Sequence, residues 1–348
     1  MHNFITVIAV IFCLWIGRSL FIPILIAAFL WYLINAITAY YRRIMPCYKT
    51  TDDSCQIYSR VYNYVALFLS FLTLFCVVFL FATQVKPMLI ELYHATPILQ
   101  QKLISFSHFI SNKIGIEADL NLIPNLPHIA GYIGSSVAGV AASTGMVIIY
   151  LIFMFIEQNS FARKINSLDL PRVRAKKLNY ILSSIDENMK KYLFTKTFIS
   201  AATGLSSYVL LKIIGLEYAS VWGFLLFLLN YIPTIGSIIA CALPIAYALI
   251  SHDTWQVPLF TTISLVGVQT IFGNILDPKL MGKTLNISSL AILINLVFWG
   301  MLWGPAGMFF SVPILATVYI STAQFKSTRW IATLLSADGS IPDETNND

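Results

Sequence analysis

The chain has 348 residues, of which 57% are hydrophobic and 11% charged, with a mean hydropathy of +0.76 and a formal net charge of +6. Soluble globular domains carry about 25% charged residues, so this composition excludes one. The basic excess does not point to nucleic acid, because the Lys and Arg residues stand between apolar runs, where they set orientation in a bilayer.

Several of those runs approach or exceed the roughly 18 residues that suggest a membrane span, which predicts an all-α, polytopic transmembrane helical protein. Met1–Ile16 is apolar but lacks a basic leader region and an A-x-A cleavage site, and it reads as a retained first span. The apolar stretch Phe4–Tyr40 is too long for one crossing and is interrupted at Gly17–Arg18. It predicts a helical hairpin with Arg18 near the outer interface; one long tilted helix with a snorkelling Arg18 is the alternative. A polar loop, Tyr41–Arg60, follows with four basic and two acidic residues, and then a span from Tyr62 to about Val85. Residues 1–85 thus form the N-terminal spans.

Lys86–Tyr132 is more polar and carries Pro87, Pro97, Pro124 and Pro127. Leu99, Leu103, Phe106 and Ile110 repeat at helical spacing, which predicts an extracytoplasmic amphipathic helical insert over 86–135, packed on the spans or lying at the interface. A span from about Val137 to Ile156 leads into the most basic segment, Gln158–Lys196, with nine Lys/Arg against three Asp/Glu. Residues 136–196 therefore read as a span and a basic cytoplasmic helix. Carrying that orientation along the chain places Tyr41–Arg60 and both termini in the cytoplasm and Lys86–Tyr132 outside. The five cysteines are scattered and match neither a disulfide framework nor a zinc spacing.

From residue 197 the pattern repeats, giving a C-terminal transport core over 197–325 and a polar, frayed tail over 326–348. Phe198–Ile214 is a span whose Thr197, Ser200, Gly204 and Ser207 share one face, as close helix packing requires. After Gly215–Leu216–Glu217, the apolar stretch Tyr218–Ile250 is broken at Asn230–Tyr231–Ile232–Pro233–Thr234–Ile235–Gly236. A second span, Val257–Leu276, places Ser264, Gly267, Thr270, Asn274 and Asp277 along one face at 100° per residue. Another broken stretch, Leu285–Ile320, is interrupted at Gly304–Pro305–Ala306–Gly307. Each unit is a span followed by an interrupted hairpin. The predicted arrangement is an inverted repeat with re-entrant hairpins whose tips lie near midplane, and two full crossings per broken stretch is the alternative.

The candidate chemistry sits at the breaks. Asn230, Pro233, Gly236, Asn295, Gly304, Pro305 and Gly307, with Thr270, Asn274 and Asp277, are the expected substrate or ion pathway. Asn230 and Asn295 read as buried amides facing substrate, with packing hydrogen bonds as the alternative. Asp277 beside Lys279 serves either proton exchange in an ion-coupled cycle or the capping of a span at the headgroups. Lys212 and Glu217 are expected to pair at the opposite mouth, and Trp299 and Trp303 to pack in the core. No H-E-x-x-H or G-x-S-x-G motif occurs; a Ser237/His252 dyad is the one conceivable catalytic pair. No catalytic residue, metal or cofactor is expected.

Tyr192–Leu193, Ile214–Gly215–Leu216–Glu217–Tyr218–Ala219 and Asn230–Gly236 resemble the autoinducer-2 exporter (AI-2E) family of bacterial membrane proteins. So do Pro278–Lys279–Leu280–Met281–Gly282 and Trp299–Gly300, Gly304–Gly307 and Val312–Pro313, taken in this order. The resemblance covers nearly the whole chain. It implies a multi-spanning inner-membrane transporter that moves a small polar solute or signalling molecule, with sodium(lithium)/proton antiport as the alternative activity. The family pattern places a proline more often where Ser288–Ser289 stand, which implies a looser local turn here. The expected partners are membrane lipid and a small solute or ion, not nucleic acid, with homo-oligomerisation open. A structural or regulatory membrane protein is the reading from a different class.

Overall fold

A computed structural model describes residues 2–44, 62–77, 144–158, 171–252, 254–281 and 286–340, with isolated positions between them. Cys47, Cys55, the loop after residue 44 and nearly all of the insert at 86–135 lie outside the described residues. Among the described residues every extended element is a helix, as the apolar runs and the scarcity of strand-type alternation require. The protein is all-α. In chain order the helices are α1 His2–Ile16, α2 Arg18–Ile44, α3 Tyr62–Val77, α4 Thr144–Gln158, α5 Arg172–Ile214, α6 Ala219–Leu229, α7 Ile235–Ser251, α8 Gln256–Gln269, α9 Asp277–Met281, α10 Ser289–Ala323 and α11 Arg329–Leu335. A π-helical segment, Thr270–Leu276, joins α8 to α9.

The chain forms two compact units, one of Met1–Ser70, Thr144–Thr197 and Pro278–Asp348, the other of Phe71–Ser143 and Phe198–Asp277. In the first, α1 and α2 meet at Gly17, a one-residue break. Gly17 donates to the Cys13 carbonyl (2.8 Å) and accepts from Phe21 (2.9 Å), so helical bonding runs up to it from both sides. Ile11, Leu14, Phe21, Ile22 and Leu25 all pack on the buried Trp299–Leu302–Trp303 cluster, which is the spacing of one helical stripe. The two helices are separate elements with Gly17 alone between them, and the Leu14 carbonyl, released from helical bonding, accepts from Trp303 instead. Pro23, six residues beyond, leaves the Ser19 carbonyl without its helical donor and bends α2. Farther along α2, Thr38 and Ser70 share a buried hydroxyl–hydroxyl bond of 2.9 Å, and each also touches the carbonyl four residues before it. Self-satisfied hydroxyls of this kind let two spans bind without an orphan donor in hydrocarbon.

In the second unit the expected small-residue face of α5 packs against α6 as its spacing requires. A β-carbon on Gly204 would lie 2.6 Å from the Gly223 carbonyl oxygen, and one on Gly223 would lie 2.7 Å from the Tyr208 β-carbon. Lipid tails are as apolar as Leu, so this close approach, rather than exclusion from water, holds the helices together. The core inside it comprises Leu211, Trp222, Leu226, Ala240, Ala248 and Leu265, drawn from α5, α6, α7 and α8.

Two sequence expectations change here. Residues Arg329–Ser340 are not frayed: α11 packs Ala332 and Leu335 on Tyr319 and Ile320. The chain after α11 then pairs with the segment leading into α10, through Ser288 N–H to the Leu335 carbonyl (2.8 Å) and Ala337 N–H to the Asn286 carbonyl (2.9 Å). Ser288 is therefore tied down rather than loose; a proline at that position would lack the N–H that makes the bond.

Candidate functional site: two interrupted hairpins

The break in the second unit begins where α6 ends at Leu229. Asn230, Tyr231 and Ile232 continue its hydrogen bonding for a turn, back to Leu226, Leu228 and Leu229. Pro233 then has no N–H to give, and the chain reverses at Thr234. This residue has φ 58 and ψ −62, and Ile235 N–H reaches the Pro233 carbonyl at 2.6 Å. The result is a γ-turn of the positive-φ kind, rare and strained, on a β-branched residue that lies exposed. Immediately after it, a β-carbon on Gly236 would overlap the Leu229 carbonyl oxygen, so only glycine lets α7 start against the end of α6. Buried Asn230 donates from Nδ2 to the Ser200 hydroxyl of α5 at 3.1 Å, which fixes the break to the neighbouring span.

The break in the first unit uses the same device. Within α10, Gly304 has φ 63 and ψ −144, a conformation open to glycine alone. It splits the element into Ser289–Trp303 and Pro305–Ala323, with Pro305 as the first residue of the second arm, where its missing N–H does no harm. The arms fold back on each other. A β-carbon on Gly307 would overlap the Trp299 carbonyl oxygen, and one on Gly300 would lie 2.8 Å from the Met308 methyl. Asn295 ties them: Nδ2 donates to the Ser311 carbonyl at 2.7 Å while Oδ1 accepts from Trp299 Nε1 at 3.0 Å. Trp303 Nε1 donates to the Leu14 carbonyl of α1 at 3.0 Å, and its ring centroid lies 4.4 Å from that of Trp299. Both tryptophans are core, as expected from their spacing.

Thr270, Asn274 and Asp277 fall in or at the end of the π-helical segment. Each π-type residue turns the chain by less than the 100° of an α-helix, so Asn274 and Asp277 are rotated away from the line drawn through Ser264, Gly267 and Thr270. Thr270 returns its hydroxyl to the Val266 carbonyl at 2.8 Å and, like Asn274, is exposed, whereas Asp277 is half-buried. Gln269 folds its side-chain amide over Gly273, where a β-carbon would overlap it. Nothing in the residue types announces this segment, although Gly273 beside Asn274 is the weak signal that exists.

Two secondary expectations are settled by geometry. Lys212 and Glu217 do not pair: Lys212 lies over the Tyr208 ring, and Glu217 accepts from the Tyr247 hydroxyl at 2.8 Å. Ser237 and His252 lie at opposite ends of α7, separated by about 22 Å of helix, and make no dyad. His252 instead meets its neighbour Ser251 through Nδ1 at 2.8 Å.

A family model described as AI-2E family transporter matches residues 4–327, a range that contains both hairpins. The chain belongs to the AI-2E transporter family. Among relatives, the AI-2 transport protein TqsA of Escherichia coli (strain K12) is 34% identical over 241 residues, which is 69% of this chain and 67% of TqsA. A transport-protein relative from Haemophilus influenzae is 34% identical over 202 residues, 57% of each chain. The "Putative transport protein YhhT" of Escherichia coli (strain K12) is 31% identical over 202 residues, 58% of this chain and 56% of its own. The AI-2E match thus spans little more than half the length of the last two relatives. This AI-2E chain is a membrane protein of several spans. Among the described residues, α2, most of α5 and α8 through α9 are long and apolar enough to cross a bilayer, and α10 has that length and composition but is folded back at Gly304.

Proposed function

We propose that this protein carries a small polar solute or ion across the bacterial inner membrane, using the interrupted hairpin of each unit as the moving, pathway-lining element. The observation that carries this reading is the strained γ-turn at Thr234. Backbone strain on a β-branched residue persists only where the surroundings over-determine it, and such residues gather at switch regions and ligand sites. A helix broken at membrane depth also leaves backbone groups that need protein or a wet cavity around them. The shorter arms support re-entry rather than four crossings. α6 and α7 measure about 16 Å and 26 Å, and the two arms of α10 about 22 Å and 28 Å, at 1.5 Å per residue. α6 and the first arm of α10 fall short of the roughly 30 Å hydrocarbon core, whereas α7 and the second arm of α10 come close to it.

In this reading Pro233, Thr234 and Gly236 form one break and Gly304, Pro305 and Gly307 the other, with Asn230 and Asn295 holding them rather than touching the solute. Thr270 and Asn274 supply polar groups on the span α8, and an exposed amide on an apolar helix is costly against lipid. Asp277 is the only carboxylate of that helix, which favours sodium(lithium)/proton antiport as the second activity to assay. Orientation follows from charge: Tyr41–Arg60, Gln158–Lys196 and the C-terminal end face the cytoplasm. The N-terminus is placed there as well, with α1 and α2 as a pair joined at Gly17.

The test is flux per folded molecule in reconstituted liposomes, with autoinducer-2 and, separately, with Na⁺ or Li⁺ under a pH gradient. Asn274→Leu abolishes flux while folded yield stays unchanged. Normal flux in that variant removes the α8 face from the pathway, and no flux of any of the three solutes by the unmodified protein removes these solutes as its cargo.

A further inference from the structure

The base of the α10 hairpin, opposite its tip at Gly304, is closed by a short polar clasp that neither hairpin needs for its own fold. Asn286 Nδ2 donates to Asp338 Oδ1 at 2.7 Å, to the Ser340 hydroxyl at 3.0 Å and to the Ser340 carbonyl at 3.1 Å, all at the exposed surface. Asp338 Oδ1 also accepts from Ser340 N–H at 3.0 Å and from its hydroxyl at 2.6 Å. Beneath lie Tyr319, Ile320 and Ala332, packed by Ile185, Ile287, Ala323 and Leu335. Two backbone bonds, from Ser288 and Ala337, join the layers.

We propose that Arg329–Ser340 is a strap that opens and closes as a unit over the base of the α10 hairpin while the hairpin itself stays folded. Three observations make its closed state shallow. Among the described residues, the Tyr319 hydroxyl is buried without a hydrogen-bond partner, and so is Gln324 Oε1 at the end of α10. The first is a polar group that closure, which packs Ala332 and Leu335 on Tyr319, strips of water and opening gives back. Asn286 holds φ 40, outside the regions that non-glycine residues prefer. The outer hydrogen bonds are all solvent-exposed, where water competes for them. Against these stands only a small apolar patch. Opening uncovers Tyr319 and releases Asn286–Ser288, the segment that leads into the first arm, from its tie to the chain end.

Hydrogen exchange on the full-length protein in lipid nanodiscs tests this without any assay of transport. The Ser288 and Ala337 amides exchange at least 100-fold faster than those of Leu296 and Leu315 in the hairpin. Asp338→Ala, which removes the acceptor, and Asn286→Gly, which keeps the backbone shape and removes the amide, each speed Ser288 and Ala337 about 10-fold and leave Leu296 and Leu315 unchanged. A disulfide between Ile287→Cys and Ser336→Cys slows both strap amides, and reductant reverses it. Strap and hairpin amides exchanging at one common rate, both variants leaving Ser288 and Ala337 unchanged, or both shifting Leu296 and Leu315 equally, overturn the proposal.

Discussion

At the scale of single residues, the breaks depend on what glycine omits and what Thr234 endures. Gly236→Ala and Gly307→Ala each drive a methyl group into a carbonyl oxygen of the preceding arm, and each is expected to cost about 3 kcal/mol or more of stability. Gly267→Ala is the control. Nothing lies within 4 Å of its β-carbon position, and the helix gains about 1 kcal/mol of propensity. Thermal unfolding of the purified variants separates the two classes, and equal losses at all three sites would sink the argument. Thr234→Gly relieves the positive φ, so it stabilises by about 1 kcal/mol. If strain serves the transport cycle, the same variant loses flux per folded molecule; retained flux makes the strain incidental. Asp338 gives the pH dependence. Hydrogen bonds from the Ser340 hydroxyl, then the Asn286 amide, then Ser340 N–H favour its carboxylate and lower its pKa from 3.8 to about 2. A depressed acid stabilises the folded form above its unfolded value, so the clasp is at full strength above about pH 4 and loses this contribution as pH falls through 2. Exchange at Ala337, corrected for intrinsic rates, should accelerate over that window, and a flat profile would contradict it. Proline and glycine at both breaks were legible in the chain because backbone punctuation is written in those two residue types. Thr234 was not, since threonine carries no signal of positive φ.

At the scale of elements, periodicity read the spans well and their interruptions in part. The stripe of Ser200, Gly204 and Ser207 was legible because close packing demands small residues at fixed spacing. The form of the break at Gly17 was not, because glycine with a neighbouring arginine suits a turn and a bend equally. The π-helical segment was hidden for a different reason: a 100° projection presumes the α-helix it is meant to test. Asn230 and Asn295 illustrate the limit for polar residues. The sequence shows an amide in an apolar run but not its partner, and both amides bond to groups of the protein itself. Asn295→Leu leaves Trp299 Nε1 without its acceptor and both arms of α10 untied. The expected cost is about 1–3 kcal/mol, and an unfolding midpoint equal to that of the unmodified protein would show that the tie contributes nothing.

At the scale of the whole molecule, the proposed orientation rests on charge asymmetry. Cysteine placed at exposed Ser183 of α5 should resist a membrane-impermeant thiol reagent in intact cells and react after permeabilisation; labelling in intact cells would reverse the assignment. Residues 341–348 lie outside the described residues. Arg329–Ser340, expected to be part of a frayed tail, was misread at this scale because its composition is polar. Order there comes from pairing with Asn286–Ser288, some fifty positions earlier, and composition is blind to such distances. One bond bears on how the chain is made. Trp303 Nε1 finds its acceptor on Leu14, 289 residues away. At about 5–20 residues per second, α1 emerges roughly 15–60 s before the indole that seats it. Through that interval Ile11, Leu14 and Phe21 have no tryptophan cluster to cover them and rest on lipid or on the insertion machinery. α1 is therefore seated only after 289 residues beyond Leu14 have been made, and a nascent chain stopped before residue 299 leaves that helix without its docking site, in plain view of membrane quality control.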